Sequence, residues 1–417
     1  MLIFLLQTLI IIALPAAVFR LAGLRRVVPL VVLQILFGLA LGPSLLGRFS
    51  PETYSMLFAP AALGPLSGIA SIAVLFFGFT TGLHLDTATF RVETRRVAIM
   101  AAAGTIGPTI AGAFGGWWIA MRYPQELVAG VGIAQYSAAV AIATGVTALP
   151  VLSAILGEMK LLGTRIGTLA LGMAAIADAS LWLLMGGLLV SIGVGGATAG
   201  SQLIAAFVVF PIYLAAMILV VRPLTHRFIV ARMEDGLLGE GSLAYVCAVT
   251  LTSCVVTEAI GLHYILGAFI AGATMPDALR RPILAQLQPM TMSVLIPFFF
   301  VLTGLRTLID PTSPAFLEIF LVSTGLAVAG KILCTAAAAR WIKESWSTSL
   351  ALGSLMQTKG LMEVVVLTIF LDRGIISVTT FSALVLMAVV STSLAMPLTR
   401  RALGKGAVRA QEKPVAA

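Results

Sequence analysis

Residues 166–190 read IGTLALGMAAIADASLWLLMGGLLV, and this stretch decides how the rest of the chain is interpreted. It is apolar and long enough to cross a bilayer as a helix. Asp178 lies near its middle, where a carboxylate costs about 2.5–3.5 kcal/mol even on the mildest insertion scale. Such residues usually mark ion or proton sites, so Asp178 predicts a transport site. The alternative is a structural carboxylate that a neighbouring hydroxyl or lysine satisfies.

The composition places the chain among polytopic helical membrane proteins. It has 417 residues, of which 59% are hydrophobic and only 10% are charged, whereas soluble domains carry about 25% charged residues. The net charge of +9 does not indicate nucleic-acid binding, because the basic residues are scattered over short loops. The sequence shows no phosphate-binding glycine loop, nucleophile motif or metal-ligand cluster, so we expect neither an enzyme nor a bound cofactor.

The apolar pattern predicts an all-α fold of thirteen transmembrane helices, of which the ninth is short. They cover residues 2–19, 27–46, 61–85, 97–121, 127–156, 162–190, 201–221, 241–260, 262–276, 283–305, 314–339, 346–371 and 376–399. Residues 1–190 and 241–400 each hold six spans, and residues 191–240 supply a linking span and a cytoplasmic loop. Two halves of six predict an inverted repeat, which is common in secondary transporters. Residues 401–417 form a short basic tail that we expect to be disordered.

The distribution of Lys and Arg predicts the orientation in the membrane. If the N-terminus is outside, twenty of the 26 basic residues fall in cytoplasmic loops or the tail and four fall outside. The other two, Lys331 and Lys359, lie within spans. This split satisfies the positive-inside rule. One missed helix would exchange the inside and outside assignments of all later loops and destroy the split. We therefore expect an integral protein of the bacterial inner membrane, with its N-terminus outside and its C-terminus in the cytoplasm.

Two spans are interrupted at matching positions, the fifth of each half. The first contains AIATGVTALPVLSAILGE at residues 141–158, where Pro150 removes a backbone donor and clashes with the preceding turn. The second contains LGSLMQTKGLMEVVVL at residues 352–367, where Gly360 permits unwinding. Each break alone is also consistent with an ordinary kink, but paired broken helices indicate a transport site.

Three further charged residues inside spans bear on this site. Lys331 is too deep in the eleventh span to reach the interface, so we expect its partner to be a buried acid or a carbonyl at a helix C-terminus. Lys359 and Glu363 are four residues apart and can pair on one helix face. A structural, charge-compensating role is favoured for these two residues.

Several stretches, in this order along the chain, carry a likeness to a known family. They are TALPVLSAILGE (147–158), LGMAAIADASLW (171–182), TEAIGLHYILGAFIAGATMP (257–276), IPFFFVLTGLRT (296–307) and LGSLMQTKGLMEVVVL (352–367), the last preceded by Lys331. The combination covers residues 1–400. It resembles the monovalent cation:proton antiporter-2 family, which contains bacterial sodium–proton and potassium–proton exchangers and their plant relatives.

The resemblance implies thirteen helices, a homodimer, and a core bundle that moves against a dimerisation domain. It also implies that Asp178 binds the ion and exchanges it for a proton, with Lys331 facing the same site. Carbonyls freed around Thr147 and Thr358 would complete an oxygen shell for the cation. Hydroxyl ligands are expected from Thr144, Thr147 and Ser180.

One departure from the family pattern affects the charge balance. Family members usually place Asp, Asn or Gln just before the ion-binding acid, and this chain has Ala177 there. Without a second acid, we expect Lys331 to pair with Asp178 when no ion is bound. A single carboxylate trades one proton for one cation, so the predicted exchange is electroneutral, with both Na+ and K+ open as the cation.

Two other functions stay open at the level of the sequence. Ala177 is compatible with a sensor or scaffold that keeps the fold and lacks transport. Lys331 and Lys359 are compatible with an exporter of a small organic or anionic solute. Flux measurements separate these alternatives from cation–proton exchange.

Overall fold

The computed structural model of the chain describes residues 1–21, 30–84, 94–162, 164–192, 208–229, 238–260 and 263–410. Within these residues the regular structure is entirely helical. Parts of several predicted spans, among them the second and the seventh, lie outside the described residues. The same holds for part of the loop at 222–240 and for Gly261 and Leu262, at the junction of the eighth and ninth spans.

Seventeen α-helices lie within the described residues. In chain order they are α1 (Leu2–Leu21), α2 (Leu30–Leu41), α3 (Leu46–Phe49), α4 (Pro51–Leu57), α5 (Pro60–Leu83), α6 (Thr94–Arg122), α7 (Ile133–Gly145), α8 (Leu149–Glu158), α9 (Arg165–Ile192), α10 (Phe210–Ile229), α11 (Glu240–Ala259), α12 (Tyr264–Thr274), α13 (Asp277–Arg306), α14 (Pro314–Trp341), α15 (Trp346–Leu355), α16 (Gly360–Asp372) and α17 (Val378–Ala410). A turn of π-helix lies inside α10 at Met217–Val221 and another inside α13 at Thr291–Leu295.

Ten helical segments among the described residues are long and apolar enough to cross a bilayer, one of which, Leu30–Phe49, comprises α2 and α3, and α12 is a shorter apolar helix. The predicted spans at 127–156 and 346–371 are each divided, the first into α7 and α8 and the second into α15 and α16. Both predicted interruptions are therefore present, and each produces two half-helices with free ends.

The first interruption follows from local backbone chemistry. α7 ends at Gly145, and Val146 and Ala148 are extended, with φ −69° and ψ 148° and with φ −87° and ψ 108°. Pro150 lies in the first turn of α8, where its missing N–H would have no partner inside the helix anyway. The proline therefore starts a second half-helix instead of kinking a continuous one.

The second interruption requires glycine. α16 begins at Gly360, which has a left-handed φ of +51°. A residue with a β-carbon adopts this conformation at a cost of about 1–2 kcal/mol. A Cβ at Gly360 would also lie 2.7 Å from Cγ2 of Val151 on α8. Both the backbone angle and the available space therefore exclude a larger residue.

Packing divides the chain into two units. The first comprises Met1–Ala59, Ala88–Met185 and Phe300–Ala417, and both interrupted spans belong to it. Within it, α6 lies against α7 so closely that a Cβ on Gly112 would come 1.7 Å from Oγ1 of Thr144. Small residues commonly allow such approaches between membrane helices.

The second unit comprises Pro60–Thr87 and Gly186–Phe299. Within it, α5 packs on α12 through glycine, because a Cβ on Gly82 would lie 2.1 Å from the carbonyl oxygen of Phe269. Gly82 therefore allows the backbones of α5 and α12 to approach closely.

The C-terminal helix extends beyond its predicted end. α17 continues past residue 400, and Gly404 has a non-helical φ of +66° inside it. The Ser347 hydroxyl donates to the carbonyl of Ala402 at 2.7 Å. Residues 401–403 are thus helical, although the sequence predicts a disordered tail from residue 401, and residues 411–417 lie outside the described part of the chain.

Candidate functional site at two interrupted helices

The two interruptions contact each other directly. The Thr147 hydroxyl donates to the carbonyl of Met356 at 2.8 Å, and the N–H of Ala148 donates to the carbonyl of Thr358 at 2.7 Å. Each break frees backbone groups that a continuous helix would pair internally. These groups are satisfied across the crossing, so the two breaks form one structural unit.

Asp178, on α9, faces the start of α8. Its Oδ2 accepts a hydrogen bond from the N–H of Leu149, the first residue of α8, at 3.3 Å. The side chain is fully buried, and none of the described residues donates to Oδ1. The hydroxyl of Ser180 donates instead to the carbonyl of Ile176 at 2.8 Å. Asp178 therefore depends on a backbone donor and keeps one oxygen without a partner among the described residues.

Lys331, on α14, contacts the other side of the same break. Its Nζ donates to the Gly145 carbonyl at 2.5 Å and to Oγ1 of Thr147 at 2.8 Å, and the side chain is buried. The sequence predicts either a buried acid or a carbonyl at a helix C-terminus as the partner of Lys331, and the structure shows the carbonyl at the end of α7. The predicted pairing with Asp178 does not occur in this structure, where no ion pair joins these two described residues. The carbonyl at the end of α7 provides a competing partner with partial negative charge.

Lys359 contacts the end of α7 from the second crossing. Its Nζ donates to the carbonyl of Ala143 and, at 3.0 Å, to that of Thr144. It also forms the predicted ion pair with Glu363, in which Nζ and Oε2 are 3.2 Å apart. Both side chains are fully buried. Lys359 therefore links the two interrupted spans by charge as well as by geometry.

The arrangement matches charge to the ends of the half-helices. The C-terminal end of α7 carries partial negative charge and receives the ammonium groups of Lys331 and Lys359. The N-terminal end of α8 carries partial positive charge and receives the carboxylate of Asp178. With Glu363, the cluster holds two cations and two anions and is formally neutral when all four groups are ionised.

The hydroxyls predicted as ligands donate to backbone carbonyls. Thr144 donates within α7 to Ala141 at 3.0 Å, and Thr358 donates to Leu355 at 2.7 Å. Donation uses the hydroxyl hydrogen and leaves oxygen lone pairs for a cation. Of the carbonyls expected to be freed around the second break, that of Thr358 accepts the N–H of Ala148 and keeps a second lone pair.

Some residues of the crossing were not predicted. Oγ1 of Thr392, on α17, accepts the N–H groups of Lys359 at 3.2 Å and Gly360 at 3.1 Å, which satisfies two donors at the start of α16. Thr392 is about thirty residues away in the chain and lies in an ordinary helical pattern, so no sequence signal marks it. Gln357, inside the twelfth-span motif, is fully buried at the crossing.

A cation at this crossing would need neutral oxygen ligands. Within the described part of the chain, no group of three or more His, Cys, Asp or Glu side chains is arranged to hold a metal ion. Hard cations accept carbonyl and hydroxyl oxygens alongside carboxylates. Asp178 can therefore supply the charge, while hydroxyl, amide or backbone oxygens supply the remaining ligands.

Broken helices that cross at buried charges, within a bundle of membrane-spanning length, define a class of secondary transporters. The comparison with protein families agrees. The chain belongs to the family described as sodium/hydrogen exchanger, transmembrane, whose model matches residues 9–403. It is therefore an integral membrane protein of a transporter family, and the predicted relation to monovalent cation:proton antiporters is confirmed.

Two curated relatives illustrate the range of the family. Cation/H(+) antiporter 17 of Arabidopsis thaliana is 33% identical over 396 residues, which cover 91% of this chain and 46% of the relative. Na(+)/H(+) antiporter NhaS4 of Synechocystis is 28% identical over 394 residues, which cover 91% of this chain and 93% of the relative. The chain spans about half the length of the plant relatives that it matches.

A solved structure shows a similar fold. It is that of the sodium proton antiporter MjNhaP1 from Methanocaldococcus jannaschii, with a TM-score of 0.64, 14% identity and coverage of 98% of both chains. At this identity the likeness concerns the fold alone. This chain therefore has a sodium–proton antiporter fold.

Proposed function

We propose that this protein is a secondary active antiporter that exchanges a monovalent cation, Na+ or K+, for H+ by alternating access, with Asp178 as the shared binding site. The observation that carries the proposal is the environment of this carboxylate. One oxygen contacts the free N-terminal end of α8, and the other has no donor among the described residues. A proton or a cation can therefore bind there without displacing a protein donor.

The physical basis of coupling is competition for one charge. An ionised carboxylate is costly to keep buried, and either a proton or a monovalent cation neutralises it. We expect the loaded forms to change between inward- and outward-open states, whereas the empty ionised form is held back. Proton and cation then exclude each other at Asp178, which couples their movements.

The surroundings of Lys331 favour electroneutral exchange. Its ammonium is bound to Gly145 and Thr147 rather than to Asp178. The ammonium group of Lys331 then stays protonated when a cation binds to Asp178. One proton is exchanged for one cation, and no net charge crosses the membrane.

We further propose the predicted architecture for this fold. The ten long helices, the short α12 and the two interrupted pairs together correspond to thirteen crossings. The inverted repeat of residues 1–190 and 241–400, the homodimer, the inner-membrane location and the outside N-terminus belong to the same proposal.

The contacts of Lys331 and Lys359 disfavour an exporter of anionic solutes, because backbone carbonyls and Glu363 already occupy both ammonium groups.

Proton flux in proteoliposomes tests the assignment. With a pH-sensitive dye inside, addition of Na+ or K+ outside should move protons in the wild type and in D310N, whose acid lies on an exposed loop. D178N should fold and show no cation-dependent flux. Flux that persists in D178N would overturn the role of Asp178, and a wild type without any flux would favour a transport-inactive scaffold.

A further inference from the structure

Gln357 occupies the centre of the helix crossing. Its chain neighbours on both sides are bound to the first interruption, Met356 by the hydroxyl of Thr147 and Thr358 by the N–H of Ala148. These two hydrogen bonds fix the backbone of Gln357 between them. The residue belongs to neither half-helix, because α15 ends before it and α16 begins after it.

The side chain of Gln357 is buried without partners. Its exposed fraction is 0%, and neither Oε1 nor Nε2 has a hydrogen-bond partner among the described residues. A buried polar group left unpaired costs about 1–3 kcal/mol. A leucine or methionine of similar size would avoid this cost, so the amide at this position calls for a function.

A second unpaired acceptor lies at the same crossing. Oδ1 of Asp178 has no donor among the described residues, while its other oxygen is bound to Leu149. Leu149 follows Ala148, whose N–H is bound to the residue after Gln357. Two hydrogen bonds therefore connect the two groups: Asp178 is bound to Leu149 in the first interruption, and Ala148 is bound to Thr358, the residue after Gln357, in the second. Hard cations bind where several oxygens converge, whereas a proton needs a single acceptor.

We propose that Oε1 of Gln357 is a ligand of the transported cation and has no part in binding the proton. This inference rests on the proposed function of Asp178 and adds a residue that discriminates between the two substrates. The amide oxygen is neutral, so it strengthens cation binding without changing the charge balance of the exchange. In the empty protein, burying Oε1 without a partner costs free energy, and contact with the bound cation offsets that cost.

The variant Q357L tests the proposal because leucine fills similar space without polar atoms. The apparent KM for Na+ or K+ should rise about tenfold or more, the equivalent of about 1.4 kcal/mol. The pH at which protons compete for the site should stay unchanged. Without cation, the variant should be as stable as the wild type or more stable, and its thermal stabilisation by added cation should be reduced. Q357N, which keeps an amide, should restore part of the affinity.

A matched control is Q7L, the same substitution at another fully buried glutamine, on α1 and bonded to the carbonyl of Leu57. It should leave the cation KM unchanged even where it lowers stability. An unchanged KM and thermal response in Q357L, or an equal shift in proton and cation dependence, would overturn the proposal. If Q357L does not fold, Q357M replaces it in the same assays. A wild type without cation-dependent flux instead rejects the underlying antiport, so the two failures are distinguishable.

Discussion

Lys331 donates to the carbonyl of Gly145, the last residue of α7, at 2.5 Å, although the acidic Asp178 belongs to the same cluster. The lysine thus balances the end of a broken helix instead of the carboxylate. In this structure its ammonium group is bound to the end of α7 through Gly145 and Thr147. This relationship separates the charge that stabilises the fold from the charge that we propose is exchanged.

Replacement of Lys331 by methionine should lower the free energy of unfolding by about 3 kcal/mol, because hydrogen bonds from a charged donor contribute about 1.5–3 kcal/mol each. The buried Gly145 carbonyl and the Thr147 hydroxyl lose their donor. Thermal unfolding in detergent measures the change. K160M, on an exposed lysine, is the control and should match the wild type. Equal stability of K331M and wild type would contradict the role of Lys331 at the helix end.

The hydrogen bonds of Lys331 to Gly145 and Thr147 also predict how the rate of exchange depends on the membrane potential. Because one proton leaves for each cation that enters, the initial rate of Na+/H+ exchange should not depend on an imposed membrane potential. Proteoliposomes with defined ion gradients measure the rate, and a solid-supported membrane records any current. A sustained transport current that reverses with the potential would show that more than one charge moves per cycle.

Glu344 predicts a pH dependence of stability. It is buried between α14 and α15, and Arg165 donates to both its carboxylate oxygens at 2.9 and 2.7 Å. Hydrogen bonds from Arg165, together with the charges of Arg165 and Arg96, lower the pKa of Glu344 below its usual 4.5. A lowered pKa in the folded state means that the stabilisation is fully present above about pH 4.5 and is lost as the pH falls through the folded pKa.

The variant E344Q should therefore be less stable than the wild type by about 2 kcal/mol at pH 7. The difference should shrink as the pH falls below about 4.5, since the protonated acid and the amide are then nearly equivalent. Thermal unfolding from pH 8 down to about pH 2.5, well below 4.5, measures it. E52Q, on an exposed helix, should follow the wild type at every pH. A constant difference across this range would exclude the ionised pair as the cause.

Substitution of Gly360 by alanine should distort the second interruption. The left-handed φ and the contact with Val151 together should cost about 2 kcal/mol or more. Cation-dependent proton flux should fall together with stability. Gly360 begins α16, and distortion of that helix start would displace Glu363, the ion-pair partner of Lys359. G325A is the matched control: it lies inside α14 with open space around its Cβ position and should be neutral or slightly stabilising. Similar behaviour of the two variants would contradict the requirement for glycine.

Local features of the site were predictable because their causes are local. Pro150 and Gly360 interrupt helices through their own backbone properties, and both interruptions are present. Lys359 and Glu363 pair because four residues separate them on one helix. The partners of Asp178 and Lys331 were not predictable in the same way, since both are backbone groups exposed by the break between α7 and α8.

The sequence by itself determined the class of protein, the helical fold, the positions of the two breaks and the buried charges. Composition, hydropathy and glycine or proline chemistry act over a few residues, so they can be read along the chain. Only the tertiary structure decided which group each buried charge contacts and that Thr392 belongs to the crossing. Those contacts join residues distant in sequence, and their geometry depends on how half-helix ends meet in space, which no local pattern encodes.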